Sequence, residues 1–319
     1  MKILLSICVP TYNRSSCLKE VLGSILDSIH EFEDQVEILV SDNHSTDSTR
    51  EVVNDFMARF PGIRYIQPPV SIPADENFWF AAQHVSGKYL WICGDDDKLE
   101  RTALRTIFQS LDNGVSALIL NFSVWDKDLK KLLTPSFYSL SEDKTFETPD
   151  SVMRYFGLSL GFISSIVISR KLFLALPHTE YQKYVEYGFP FMYAVYYGLL
   201  PDNKAFYIAE PQLINRAGNS GGYDWYKYFV TGSCLIFDQL GKDGYQKQSV
   251  VRAKYSVLTK YVFKTILVHK RDGISLKGLW GLMLTRYWRS LRFWFFIVPA
   301  LLVPRKLVVW TWLVYRKFK

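Results

Sequence analysis

A chain of 319 residues, 49% of them apolar, is long enough for about two domains, or for one large domain with an appendage, around a sizeable core. The formal charge of +7 is uneven: from His269 to Lys319 eleven Lys and Arg face a single acid, Asp272, so the rest of the chain is mildly acidic. This excludes the broadly basic body of a nucleic-acid-binding protein, and four scattered cysteines (Cys8, Cys17, Cys93, Cys234) exclude a metal-spaced or disulfide framework and suggest reduced thiols in the cytosol.

Met1 to Pro10 carries one positive charge and a short apolar run with no small-residue cleavage site, so it reads as a first strand, Ile3–Val9, and not as a signal peptide. Ser15 or Ser16 can cap a helix with apolar residues at helical spacing from Leu18 to Ile29. Val36–Val40 is a second strand. A helix near Thr49–Phe60 and a third strand, Ile63–Ile66, follow. Pro68, Pro69 and Pro73 make a loop, Asp75 or Glu76 starts a helix, and Gly87 stops it. Tyr89–Cys93 is a fourth strand, 99–112 a helix and Val115–Phe122 a fifth strand. This alternation predicts an α/β fold with a mostly parallel twisted sheet flanked by helices.

Beyond residue 122 the alternation weakens. A small-residue turn leads into a strand ending near Ile168, and a helix follows Pro190. Short strands are expected at Ala205–Ile208 and Gln212–Arg216, then a flexible loop at Gly218–Gly222 and a helical stretch at 226–270. From Leu279 onward tryptophans alternate with arginines. The longest uncharged run, Phe293 to Pro304, is shorter than the roughly 20 residues a spanning helix needs. Interleaved aromatics and cations suit the headgroup layer, so the tail reads as a monotopic membrane attachment; a helix pair packed on the body is the alternative.

The richest stretch is Lys88 to Asp97, where a strand-like run ends at Gly94 and three carboxylates follow. Asp95, Asp96 and Asp97 repel one another, and hard oxygen donors in that position suit Mg²⁺ or Mn²⁺ bridged to substrate phosphates. A solvated loop ahead of the next helix is the plainer reading. Thr11-Tyr12-Asn13 and Asp42-Asn43 also end strands, so three polar loops converge on one sheet edge, where open α/β folds bind ligands. No G-x-G-x-x-G or P-loop motif is present.

Ile7-Cys8-Val9-Pro10-Thr11-Tyr12-Asn13-Arg14, Val40-Ser41-Asp42-Asn43-His44-Ser45-Thr46-Asp47 and Gly94-Asp95-Asp96-Asp97 resemble the signatures of family 2 glycosyltransferases. The match covers about the first 120 residues. The Ser164-Ser165 and Asn215-Arg216 stretches are similar to abequosyltransferase-like enzymes of bacterial O-antigen assembly. The resemblance implies a GT-A fold with a nucleotide-sugar-binding half at 1–122, an acceptor-binding half at 123–225 and a helical region with the attachment tail at 226–319. It implies transfer from a nucleoside-diphosphate sugar with Mg or Mn, and the attachment tail, which would hold the site at the cytoplasmic face of the inner membrane, makes a lipid-linked glycan the expected acceptor. A polyprenyl-phosphate sugar synthase and a non-catalytic sugar-nucleotide-binding protein are the alternatives.

The same resemblance places Pro10, Thr11 and Tyr12 under the base, with Tyr12 stacking on it, and gives Asp42 a hydrogen bond from the base edge, which favours a pyrimidine. Asp95 and Asp97 form a D-x-D pair for ribose and metal. Because Gly94 occupies the place of the family's separate acid in one alignment, Asp96-Asp97 is the other candidate pair. Arg14 and Arg216 are expected at phosphates. The base that deprotonates the acceptor is expected at Glu186, with Glu180 second.

Overall fold

The computed structural model describes residues 3–111, 114–218 and 224–317, with side chains as far as Val314. The expected 218–222 loop lies, from 219 onward, outside the described residues. The chain divides into two compact units: Met1–Val152 with Ser159–Gly222, and Met153–Leu158 with Tyr223–Lys319.

The first unit is built on a ten-stranded sheet. Its strands are β1 (Leu5–Thr11), β2 (Val36–Asp42), β3 (Ile63–Ile66), β4 (Tyr89–Ile92), β5 (Lys98–Leu99), β6 (Ala117–Trp125), β7 (Leu132–Thr134), β8 (Lys144–Phe146), β9 (Ile166–Ser169) and β10 (Ala205–Arg216). They lie in the order β3-β2-β1-β4-β9-β6-β10-β5, with β7 on β6 and β8 on β10. Every residue of β1, β2 and β4 is buried, because helices cover both faces of these parallel strands. The helices are α1 (Ser15–Ser28), α2 (Thr49–Arg59), α3 (Ala74–Gln83), α4 (Ala103–Leu111), α5 (Pro149–Phe156), α6 (Arg170–Phe173), α7 (His178–Val185) and α8 (Pro190–Leu199). Here α1 packs against α2, α4 and β5, while α3 packs against β1, β2 and β4 together with α7 and α8.

The sheet is mixed, which corrects the mostly parallel expectation. β3, β2, β1 and β4 are parallel neighbours, but β9 runs antiparallel to both β4 and β6. The chain enters β9 from a tight turn at Ile163–Ser165 beside the acids and so runs away from that edge, with no crossover helix to reverse it. The two short strands expected at 205–208 and 212–216 are one strand, β10, whose register slips at Pro211; proline has no N–H to give the ladder, and the bulge absorbs it. β6 and β10 pair in parallel, so the expected nucleotide and acceptor segments share one sheet.

The second unit is helical. Lys227–Gly232 runs into Ser233–Asp243, Lys247–Val257 continues through Leu258–Val262 into Phe263–Asp272, and the tail forms Leu279–Tyr287, Phe293–Leu302 and Arg305–Lys317. Met283, Tyr287, Phe293 and Ile297 are buried, whereas Trp288, Trp294, Phe295 and Trp310 are exposed. Lys270 Nζ donates to the carbonyls of Leu301 and Val303 at 2.6 Å, satisfying a helix end. No single helix among the described residues is long and apolar enough to cross a membrane; Phe293–Leu302 and Arg305–Val314 pass that test only together, across a 96° bend.

Candidate active site

β1, β2, β4, β6 and β10 all point the same way, so their carboxyl ends share one edge. Along it lie Thr11, Asp42, Asp95–Asp97 and Arg216. Gly94 is what lets the acids turn in: a Cβ there would stand 3.0 Å from Asp97 Oδ2 and 3.2 Å from Ser164 Oγ.

Each outer acid is clamped. Thr11 Oγ1 donates to Asp95 Oδ2 at 2.7 Å, and Arg14 donates to Asp95 Oδ1 at 3.1 Å and to Asp96 Oδ2 at 3.3 Å. Ser164 Oγ donates to Asp97 Oδ2 at 2.5 Å, and Asn215 Nδ2 donates to Asp97 Oδ1 at 2.9 Å. Asp95 and Asp97 are 5% and 2% exposed. Burial pushes Asp95 up to about 6, against the Arg14 charge and the Thr11 hydroxyl. Burial, with Asp96 beside it, pushes Asp97 up to about 7, against Ser164 and Asn215. Asp96 is the more exposed of the three at its side chain, and its carbonyl accepts from Arg216 Nε at 3.2 Å.

Arg216 thus arrives from 120 residues away to meet the triplet, and it also reaches the Lys127 carbonyl and Glu20 Oε2 at 2.8 and 2.7 Å. The expected pair of arginines therefore flanks the acids. Sequence reading missed what positions Asp97. Ser164 and Asn215 were visible only as residues of resembling stretches, and nothing local ties a hydroxyl 67 residues away to that carboxylate.

Asp42 is almost fully buried. Its Oδ1 accepts from the Ser45 amide at 3.0 Å and from the Ser45 hydroxyl at 2.5 Å, and its Oδ2 accepts from Tyr65 at 2.5 Å and from Gln67 at 3.0 Å. Four donors fill the roughly four acceptor positions of a carboxylate. Pro10 is buried, and Tyr12 is 54% exposed on the same edge. Asp47 caps two helices, accepting from the amides of Ser15 and Thr49 at 2.9 and 3.1 Å. Glu180 pairs with Lys183 at 2.6 Å on α7, and Glu186 is exposed just past the end of that helix, ahead of α8. The base candidates therefore come from a helix other than the loops that hold the acids.

Among the described residues no three His, Cys, Asp or Glu side chains enclose a metal. The donor set nonetheless fits a hard divalent ion of the Mg²⁺ type, which takes one or two carboxylates and fills its other positions with substrate phosphates and water. Asp95 and Asp97 are the carboxylates that could hold it.

The sequence model described as Glycosyl transferase family 2 matches residues 6–174, more than half of the chain. Abequosyltransferase RfbV of Salmonella typhimurium is 27% identical over 276 residues, 81% of this chain and 80% of the relative. GalNAc(5)-diNAcBac-PP-undecaprenol beta-1,3-glucosyltransferase of Campylobacter jejuni is 29% identical over 48% of each chain. Among solved structures, TarS 1-349 of S. aureus in complex with UDP-GlcNAc superposes with a TM-score of 0.59 at 12% identity, covering 90% of this chain and 82% of that one. That likeness makes the fold GT-A. The match over residues 6–174 places the chain in glycosyltransferase family 2.

Proposed function

We propose that this enzyme moves a sugar from a nucleoside-diphosphate sugar to a hydroxyl of a lipid-linked glycan, in the assembly of an O-antigen-like bacterial surface polysaccharide. The carrying observation is the single network that joins Thr11, Arg14, Asp95–Asp97, Ser164, Asn215 and Arg216 at one sheet edge. The Campylobacter relative, named for a glycan carried on undecaprenol, supports the acceptor class, and the UDP-GlcNAc complex of TarS supports the donor class.

A nucleotide reaches this edge over residues 1–122. Tyr12 offers a face for the base. A pyrimidine imide N–H can take the place of Gln67, the exposed donor on Asp42. Arg14 and Arg216 turn to the diphosphate. Asp97 and Asp95 hold the Mg or Mn ion, whose charge makes the diphosphate a better leaving group. Residues 123–225 take the acceptor. Glu186, with Glu180 as second candidate, removes the proton from the acceptor hydroxyl as that oxygen bonds the anomeric carbon and the nucleoside diphosphate leaves.

The tail lies on the cytoplasmic face of the inner membrane, its exposed Trp288, Trp294, Phe295 and Trp310 at headgroup depth beside Arg289, Arg292, Arg305 and Lys306. Thermal unfolding with a panel of nucleoside diphosphates, with and without Mn²⁺, tests the donor site. Stabilisation by one of them that requires the ion is expected. No stabilisation by any of them overturns the reading.

A further inference from the structure

The large apolar side chains exposed on the first unit are not scattered. Among the described residues they are Tyr12, Met57, Val70, Leu132, Leu133 and Phe137. Tyr12, Val70, Leu132 and Leu133 sit in segments that follow the carboxyl ends of β1, β3 and β6, on the catalytic edge, and Phe137 returns beside Phe122 of β6. Tyr12 is accounted for by the base. The largest group is the hairpin that continues β6 into β7.

That hairpin is firmly built. Trp125 pairs with Leu132, the Asp126 amide donates to the Lys131 carbonyl at 2.9 Å, and the Asp126 carboxylate is spent on the Lys130 amide at 2.8 Å. Phe137 stacks one face on Phe122, with centroids 4.5 Å apart, meets Tyr138 edge-on, and is 42% exposed. Leu132 and Leu133 are 44% and 50% exposed on adjacent positions of an edge strand, so they leave both faces of it apolar. Lys127, Lys130 and Lys131 are exposed around them, with Asp128 the acid left facing outward. The hairpin is also joined to the acids, since Arg216 bonds the Lys127 carbonyl and the Asp96 carbonyl together.

We infer that the hairpin Trp125–Thr134, with Phe137, is a second membrane contact, which seats the catalytic edge itself on an anionic lipid surface. Adjacent leucines ringed by lysines match the acyl boundary and the phosphate layer above it. A glycan carried on a lipid pyrophosphate would then meet the acids without leaving the bilayer surface. This last consequence rests on the acceptor reading above; the docking itself does not.

The test is co-sedimentation of the full chain with phosphatidylcholine vesicles, with and without a minority of phosphatidylglycerol. The wild type is expected to prefer the anionic vesicles. L132S/L133S should lower binding to them about ten-fold. K130E/K131E should remove the preference for phosphatidylglycerol while nucleotide-dependent thermal stabilisation stays at the wild-type level. W294S/F295S, in the tail, should lower binding further when combined with L132S/L133S. If both hairpin variants fold and bind as the wild type does, the inference is overturned. If the wild type binds neither vesicle, hairpin and tail docking both fail, while the nucleotide panel still reports on the transferase site.

Discussion

The Ser164 hydroxyl lies 2.5 Å from Asp97 Oδ2 and accepts the Gly94 amide at 2.8 Å, so one side chain fixes both the glycine turn and the last acid of the triplet. The Ser164 carbonyl in turn accepts from Trp91 Nε1 at 2.7 Å, which locks the 163–165 turn to β4. Ser164→Ala removes a donor from a buried carboxylate and leaves a backbone N–H without its acceptor. A loss of about 1–3 kcal/mol is expected from denaturant unfolding. Metal-dependent turnover should fall as well, because the carboxylate is no longer held in one rotamer.

Asp97→Asn separates the metal role proposed for this residue from the fold. The amide keeps the volume and relieves the burial of a charge, at the cost of one mismatched hydrogen bond to Ser164 or Asn215. Stability should change by only about 1 kcal/mol. Turnover of the donor in Mn²⁺ should drop by about 10² or more. Turnover equal to the wild type would take the ion away from this residue.

Arg216→Lys tests whether one planar group is needed. The guanidinium reaches Asp96 O, Lys127 O and Glu20 at once, which a single ammonium cannot do. About ten-fold weaker nucleotide-diphosphate binding is expected by calorimetry, with a stability loss of about 1 kcal/mol.

Two acids, Glu37 and Asp75, set opposite pH slopes on stability. Burial opposes charge on Glu37, but hydrogen bonds from Ser86 and Ser6 and the Arg64 cation outweigh it and hold its pKa below the usual value. Its contribution is therefore present at neutral pH and lost as pH falls through the folded-state value. Asp75, pushed up to about 7 by burial and then by Glu76, acts the other way: stability falls as pH rises from about 4 to about 7. Glu37→Gln should lower stability at pH 7 by about 2 kcal/mol and flatten the acid limb. Asp75→Asn should raise stability at pH 8 and leave it unchanged near pH 4. Urea unfolding across pH measures both.

The elements with strong local signals were legible. β1, β2 and β4 are mostly apolar runs with polar loops beyond them, and α1 has helical apolar spacing from Leu18 to Ile25. The edge they define followed from the same residues, whereas Arg14 and Arg216 were named through the family resemblance. The place of β9 was not legible. Its four residues carry no mark of direction, and an antiparallel insertion between β4 and β6 is decided by where the preceding turn is anchored. Lys98–Leu99 is too short to register as a strand, and Pro211 read as a break because only the partner strand shows that the ladder resumes. The roles of Ser164 and Asn215 were hidden for the same reason: both act on a carboxylate distant in sequence.

Kinetics of two variants on and beside α7 distinguish the candidate bases. Glu180 is held by Lys183 one turn away, an ion pair that keeps its carboxylate on the helix surface. Glu186 stands at the helix end, where Gly188 and Phe189 both take left-handed backbone and swing the chain into Pro190 and α8. A carboxylate at such a bend can face an acceptor, whereas one held along the surface of α7 points away from the helix end. Glu186→Gln should therefore lower kcat by about 10²–10⁴ with little change in the donor KM. Glu180→Gln should leave kcat within about three-fold of the wild type, the scale of losing an exposed ion pair. The reverse pattern would move the base to Glu180, and kcat unaffected by either change would remove it from α7 altogether.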